Sequence, residues 1–155
     1  MSAAVGVDVG ARRVGLAAAD PSGTIASPLR TLDRDRPGFW AQLSQVCTDR
    51  GCQLLVVGLP RRLDGAEGDA AHQARRFAAE AERRLGVVAV LWDERLTTAE
   101  AERALIAAGV RRAARRTRVD AVAAALILQG YLDAQGRAGK VARAPAPRPQ
   151  PGEPR

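Results

Sequence analysis

Lysine is nearly absent from this chain of 155 residues: of 24 Lys and Arg residues, Lys140 is the only lysine, and His72 is the only histidine. A histidine triad or a two-histidine metal site would have to rest on that one residue. It lies in a stretch that reads as the start of a solvated helix. Cysteine is confined to Cys47 and Cys52, with four residues between them and without a second pair, which argues against a zinc site. Both read as small buried hydrophobes, with a surface thiol or an intermolecular disulfide as the alternative. Aromatic residues make up only 3% of the chain, so a base-stacking platform for single strands is hard to build. No apolar run approaches the ~20 residues that span a bilayer, and the N-terminus lacks a basic region followed by an apolar signal segment. The expectation is a soluble, cytoplasmic protein. The GxxxxGK[ST] phosphate loop is also missing.

With 46% hydrophobic residues, a chain of this size can bury a core without staples and fits one domain best. The formal net charge of +7 is unevenly placed. Residues 137–155 carry Arg137, Lys140, Arg143, Arg148 and Arg155 against Glu153, more than half of the excess. The same segment holds Pro145, Pro147, Pro149, Pro151 and Pro154, which remove backbone donors and favour extended conformations. The expected organisation is a folded domain over residues 1–136 and a disordered basic tail over 137–155. Within the domain, Arg111, Arg112, Arg115, Arg116 and Arg118 form the one dense basic run. A phosphate-rich partner accounts for both features, and an Arg- and Ala-rich genome composition is the alternative.

Residues 3–9, 13–20 and 24–33 read as three strands joined by tight turns, an antiparallel meander. Pro37 opens a helix to about Arg50, and the continuous apolar run 53–59 has the pattern of a strand buried on both faces. A polar loop over 60–69 leads into a helix over 70–85, a second fully buried strand over 87–92, and helices over 97–108 and 119–134. The fold class is α/β: a mixed five-stranded sheet, a meander plus parallel strands, flanked by helices.

The informative residues are acids where the local pattern does not favour them. In the strand Val5-Gly6-Val7-Asp8-Val9-Gly10 the period of two puts the valines on one face and Asp8 between two glycines on the other. Asp is disfavoured in strands and glycine weakens them, so the arrangement calls for a reason: room for a metal or phosphate beside the carboxylate, or a strand-end Asp capping a turn. Asp120 is the one charge in the apolar stretch from Val119 to Leu128, where it serves either a site or the helix dipole. Asp93 and Glu94 follow a buried strand, where open α/β sheets place ligands, and a solvated pair bridged to Arg95 is the alternative. Thr97 and Glu100 have the spacing of a capping box. Three carboxylates from separate elements suit two hard cations, Mg²⁺ or Mn²⁺, ~3.5–4 Å apart, which position a water and stabilise a leaving oxygen.

Four segments, Val7-Asp8-Val9-Gly10 with Ala11-Arg12-Arg13-Val14-Gly15, Val57-Gly58-Leu59-Pro60 with Asp64-Gly65, Asp93-Glu94-Arg95-Leu96-Thr97-Thr98, and Val119-Asp120-Ala121-Val122-Ala123-Ala124, resemble those of the YqgF (RuvX) family of Holliday junction resolvases and pre-16S rRNA processing nucleases. The match covers about residues 4–134. The resemblance implies an RNase H-like fold and catalytic, metal-holding acids at Asp8, Glu94 and Asp120, with Asp93 as a substitute or helper for Glu94. After Pro60 this chain carries Arg61 and Arg62 where the family usually has a less charged pair, so extra phosphate contacts are expected there.

The reading is a divalent-metal-dependent nuclease acting on structured RNA (pre-16S rRNA) or branched DNA (a four-way junction). Arg13, Arg61, Arg62, Arg95 and the Arg111–Arg118 run would contact phosphates. A junction favours a twofold homodimer, whereas an rRNA end does not demand one. An actin-like or sugar-kinase ATPase shares the Asp-x-Gly strand, but the chain leaves no room for a second half. A non-catalytic, ribosome-associated RNA-binding factor is the other alternative.

Overall fold

The computed structural model describes residues 3–62, 64–96, 103 and 119–141. The helix expected over 97–108, the capping-box residues Thr97 and Glu100, the Arg111–Arg118 run and residues 142–155 lie outside the described residues, with Arg103 the one exception. The elements are β1 (Ala3–Val9), β2 (Arg13–Ala19), β3 (Ala26–Asp33), α1 (Phe39–Arg50), β4 (Cys52–Leu59), α2 (Asp69–Leu85), β5 (Val88–Asp93), a 3-10 turn (Glu94–Leu96) and α3 (Val119–Val141).

One mixed sheet of five strands runs in the order β3-β2-β1-β4-β5. β1, β2 and β3 pair antiparallel as the meander, while β4 joins β1, and β5 joins β4, in parallel. Side chains alternate across a strand, and the two sheet faces have separate cores. Val5, Val7, Leu55 and Val57 pack with α1 and α2, whereas Ala4, Ala17 and Val56 pack with Ala124, Ala125, Ile127 and Leu128 of α3. β4 feeds both cores, as its unbroken apolar run requires.

β5 departs from expectation. It ends the sheet order, Val88 is 57% exposed and the remaining residues are half-buried, so an apolar run here marks an edge strand and not a doubly buried one. The second hairpin is also wider than the sequence suggests. The Asp20 carboxylate accepts from the backbone N–H groups of Thr24 at 2.7 Å and Ile25 at 3.1 Å and from the Ser22 hydroxyl at 2.8 Å, which delays β3 to Ala26. Gly38, at φ 88°, holds off helix α1 until Phe39, two residues after Pro37. α3 runs on to Val141, because no proline interrupts it before Pro145, so residues 137–141 of the expected tail are helical.

α3 is fixed on its face in two ways. Gln129, only 1% exposed, accepts from the Ala26 N–H at 2.9 Å and donates to the Thr24 carbonyl at 2.9 Å and the Asp133 carboxylate at 3.0 Å. A buried amide so satisfied specifies one docking position. The second is Gly6, where a Cβ would stand 2.6 Å from the Ala124 carbonyl oxygen and 2.7 Å from Leu128 Cβ. The glycine that the strand pattern disfavours is what lets helix and sheet approach this closely.

Candidate active site

The carboxyl end of the sheet gathers the acids. With Val5 and Val7 committed to the α1/α2 core, the alternation of β1 sends Asp8 to the α3 face. Asp8 is in register with Gly15 on β2, and Gly58 on β4 lies one step beyond the last paired residues, Val7 and Val57. The sheet is therefore cleared on both sides of Asp8, about 4.8 Å away on each. A Cβ on Gly58 would meet the Ile127 side chain and stand 2.7 Å from Glu94 Oε1. The Glu94 carboxylate thus overlies the strand next to Asp8, in the space the glycine leaves.

Asp8 and Glu94 line one cleft of about 360 Å³, closed on the helix side by Ala123, Leu126 and Ile127. Asp120 precedes Ala123 and Ile127 at the spacing of one helical face, in the first turn of α3. Its side chain lies outside the described residues.

Electrostatics separate the two adjacent acids of the β5 exit. Asp93 accepts from Arg95 Nε at 3.1 Å and Nη2 at 2.7 Å and from the Arg95 backbone N–H at 2.9 Å, and Arg61 stands 3.9 Å away. The Arg95 guanidinium holds the Asp93 carboxyl below the usual carboxylate range. Glu94 is shifted the other way, first by burial and then by the Asp8 and Asp93 charges. Among the described residues it has no ion pair. A half-buried carboxylate pushed up by like charges is a site that a cation relieves. The hard oxygen donors of Asp8 and Glu94 suit Mg²⁺ or Mn²⁺, although Asp8, Glu94 and Asp93 form no metal-sized cluster among the described residues.

This shift predicts a pH effect with a definite sign. A carboxyl whose folded pKa lies above its ordinary 4.5 costs stability once it ionises, and the cost is absent where it stays protonated. In EDTA, Glu94→Gln is expected to melt above the parent protein at about pH 7 and level with it at about pH 4. Melting curves at the two pH values check this.

The basic residues divide into two groups. Arg61 and Arg95 converge on Asp93, and Arg61 also faces Glu67 at 3.6 Å, which is itself bound by Arg75 at 2.6 Å. The loop after β4 is thereby tied to the β5 exit. Arg62 is exposed, and Arg13 is exposed at the start of β2, where it lines a hollow with Arg30 and Arg36. Arg30 and Arg36 form no run in the sequence, and β2–β3 pairing brings them to Arg13. Cys47 and Cys52 are buried free thiols, as expected. His72 is exposed on α2.

A meander with parallel strands added beside β1, and an acid on that central strand, define an RNase H-like fold. The chain belongs to the RuvX family of Holliday junction resolvases, whose family model matches residues 2–134. A protein of Lachnospira eligens named "Putative pre-16S rRNA nuclease" is 39% identical over 135 residues, covering 84% of this chain and 96% of that one. A protein of the same name from Kineococcus radiotolerans is 50% identical over 133 residues, covering 83% and 70%. Among solved structures, Thermus thermophilus RuvC shares the fold with a TM-score of 0.57 at 17% identity, covering 88% of this chain and 96% of that one. The same protein in complex with a Holliday junction substrate gives 0.53 at 18%, with the same coverage. No helix among the described residues is long and apolar enough to cross a membrane.

Proposed function

We propose that this protein is a divalent-metal-dependent nuclease that hydrolyses phosphodiester bonds in structured nucleic acid, with precursor 16S rRNA or a four-way DNA junction as substrate. The observation that carries the reading is the pairing of Asp8 and Glu94 in one cleft, with Glu94 pushed up by burial and by its acidic neighbours. Asp8, Glu94 and Asp120 hold the cations, and Asp93 positions Arg95 and Arg61 beside them. Bound Mg²⁺ or Mn²⁺ supplies activation of a water and neutralisation of charge on the phosphodiester. Arg95 and Arg61, turned to the β5 exit by Asp93, contact phosphates flanking the scissile bond, and Arg13 and Arg62 extend that contact over the exposed rim. The apolar wall of Leu126 and Ile127 limits water around the carboxylates and strengthens their interactions. The Arg111–Arg118 run, ending two residues before Asp120, and the tail after residue 136 add non-specific affinity.

Purified protein is tested with Mn²⁺ or Mg²⁺ on two labelled substrates, a precursor rRNA fragment and a four-way DNA junction. Cleavage of either supports the proposal and identifies the polymer. Binding of both with cleavage of neither contradicts it and favours a non-catalytic RNA-binding factor.

A further inference from the structure

Three of the chain's five aromatic side chains meet on the sheet face opposite Asp8. Phe39 and Trp40 from the first turn of α1 pack with Phe77 of α2, Trp40 stacking on Phe77 at 5.3 Å between ring centroids with 21° between planes. Beside them, between α1, α2 and the β1–β2 turn, lies a cavity of about 440 Å³, within the ~300–1,000 Å³ typical of small-molecule sites. Phe39 and Phe77 are buried and Trp40 is half-buried. Trp40 lines the cavity with its ring already stacked on Phe77 and with Arg84 5.2 Å over it.

The polar lining suits an anion. Arg34 and Arg76 both open into the cavity, and neither forms an ion pair among the described residues. Glu80 also lines it but is neutralised by Arg84 at 2.8 Å, which leaves the exposed Asp35 as the one carboxylate without an ion pair there. Arg34 donates to the Gly10 carbonyl at 2.8 Å, so its guanidinium is fixed at the β1–β2 turn. Gln73 adds an amide with both donor and acceptor capacity. Two guanidinium groups and an amide are a set that recognises a nucleotide: the phosphate by one arginine, the base by the guanidinium plane of the other and by the Gln73 amide.

Position connects this cavity with the cleft. Ala11 lines it, and Asp8 lies three residues earlier in the same strand and turn, a span of at most ~11 Å. The exposed Arg12 and Arg13 follow Ala11 in the chain. We propose that the cavity bounded by Arg34, Trp40, Gln73 and Arg76 binds an unpaired nucleotide of the substrate strand, on the opposite face of the sheet from the bond that is cut. The proposal rests on the nuclease reading for the meaning of "substrate". It makes the substrate a structure with a single-stranded segment next to the cleaved position, which a continuous duplex does not offer.

The test does not need cleavage. In the Trp92→Phe protein, Trp40 is the only tryptophan. In EDTA, its fluorescence is expected to be quenched saturably by tetrathymidylate or tetrauridylate, the two arms showing which sugar is preferred, and not by a blunt DNA duplex. Arg76→Glu, at an exposed position, is expected to weaken binding at least about tenfold. Anisotropy of a labelled oligonucleotide on the unsubstituted protein and on Arg76→Glu repeats the comparison without the tryptophan variant. Absence of quenching, equal quenching by the duplex, or an unchanged Arg76→Glu isotherm overturns the proposal. If oligonucleotides bind in this way and neither structured substrate is cleaved, the pocket stands and the nuclease reading falls.

Discussion

Asp8→Asn is expected to abolish metal-dependent cleavage while leaving nucleic-acid affinity within about twofold of the parent protein in EDTA. The substitution keeps size and shape and removes one negative charge from a cleft whose other described acid, Glu94, is already shifted by that charge. The loss should be at least the roughly 10²–10³-fold that removal of one preorganised electrostatic group costs. Affinity should persist because the proposed phosphate contacts come from arginines on the rim and not from the acids. A second consequence follows from the same charge. Asp8 is the second-largest cause of the upward shift at Glu94, after burial, so Asp8→Asn should also lower the pH at which Glu94 ionises. Cleavage at the parent rate would rule out the carboxylate mechanism.

Gly6→Ala carries the largest expected effect on stability. The added methyl would stand 2.6 Å from a backbone oxygen of α3 and 2.7 Å from Leu128 Cβ, so neither a rotamer change nor a flexible tip can accommodate it. The helix must move off the sheet, at a cost of about 2–3 kcal/mol, the upper part of the overpacking range. For a chain of this length that is a fall in Tm of roughly 5–10 °C. Activity should fall beyond the loss of folded protein, because Ala123 and Ile127, which close the cleft, ride on the same helix. Gly136→Ala on the same helix provides the control: its Cβ meets nothing within 4 Å, and it should leave Tm unchanged or raise it. Thermal melts of the two variants side by side separate close approach from loss of glycine as such.

The β1 half of the site was legible because a strand is read at a period of two. Valine on one face and glycine, aspartate, glycine on the other left Asp8 without a packing role, and the structure puts it at the cleft. The β5 exit was not legible to the same degree. Asp93 and Glu94 are chemically alike in sequence, and what separates them is three-dimensional: Arg95 folds back on Asp93, while Gly58 makes room under Glu94. The one dense run of basic residues in the sequence is 111–118. Strand pairing places Arg30 and Arg36 in one hollow with Arg13, and helix packing places Arg76 in another with Arg34. The few aromatic residues are concentrated: Phe39, Trp40 and Phe77 pack together between α1 and α2, with both phenylalanines buried. The edge position of β5 was likewise hidden, since its apolar run resembles that of β4 although β4 is paired with a strand on either side and β5 on one side only.

The central claim is that acids from β1, the β5 exit and the start of α3 act as one cation site. Calorimetric titration of Mn²⁺ into the parent protein and into Asp120→Asn tests it most directly. Saturable binding to the parent protein is expected, with a loss of at least about tenfold in affinity in the variant. An Asp120→Asn protein that binds Mn²⁺ as the parent does, or a parent protein that binds none in the presence of nucleic acid, would contradict it.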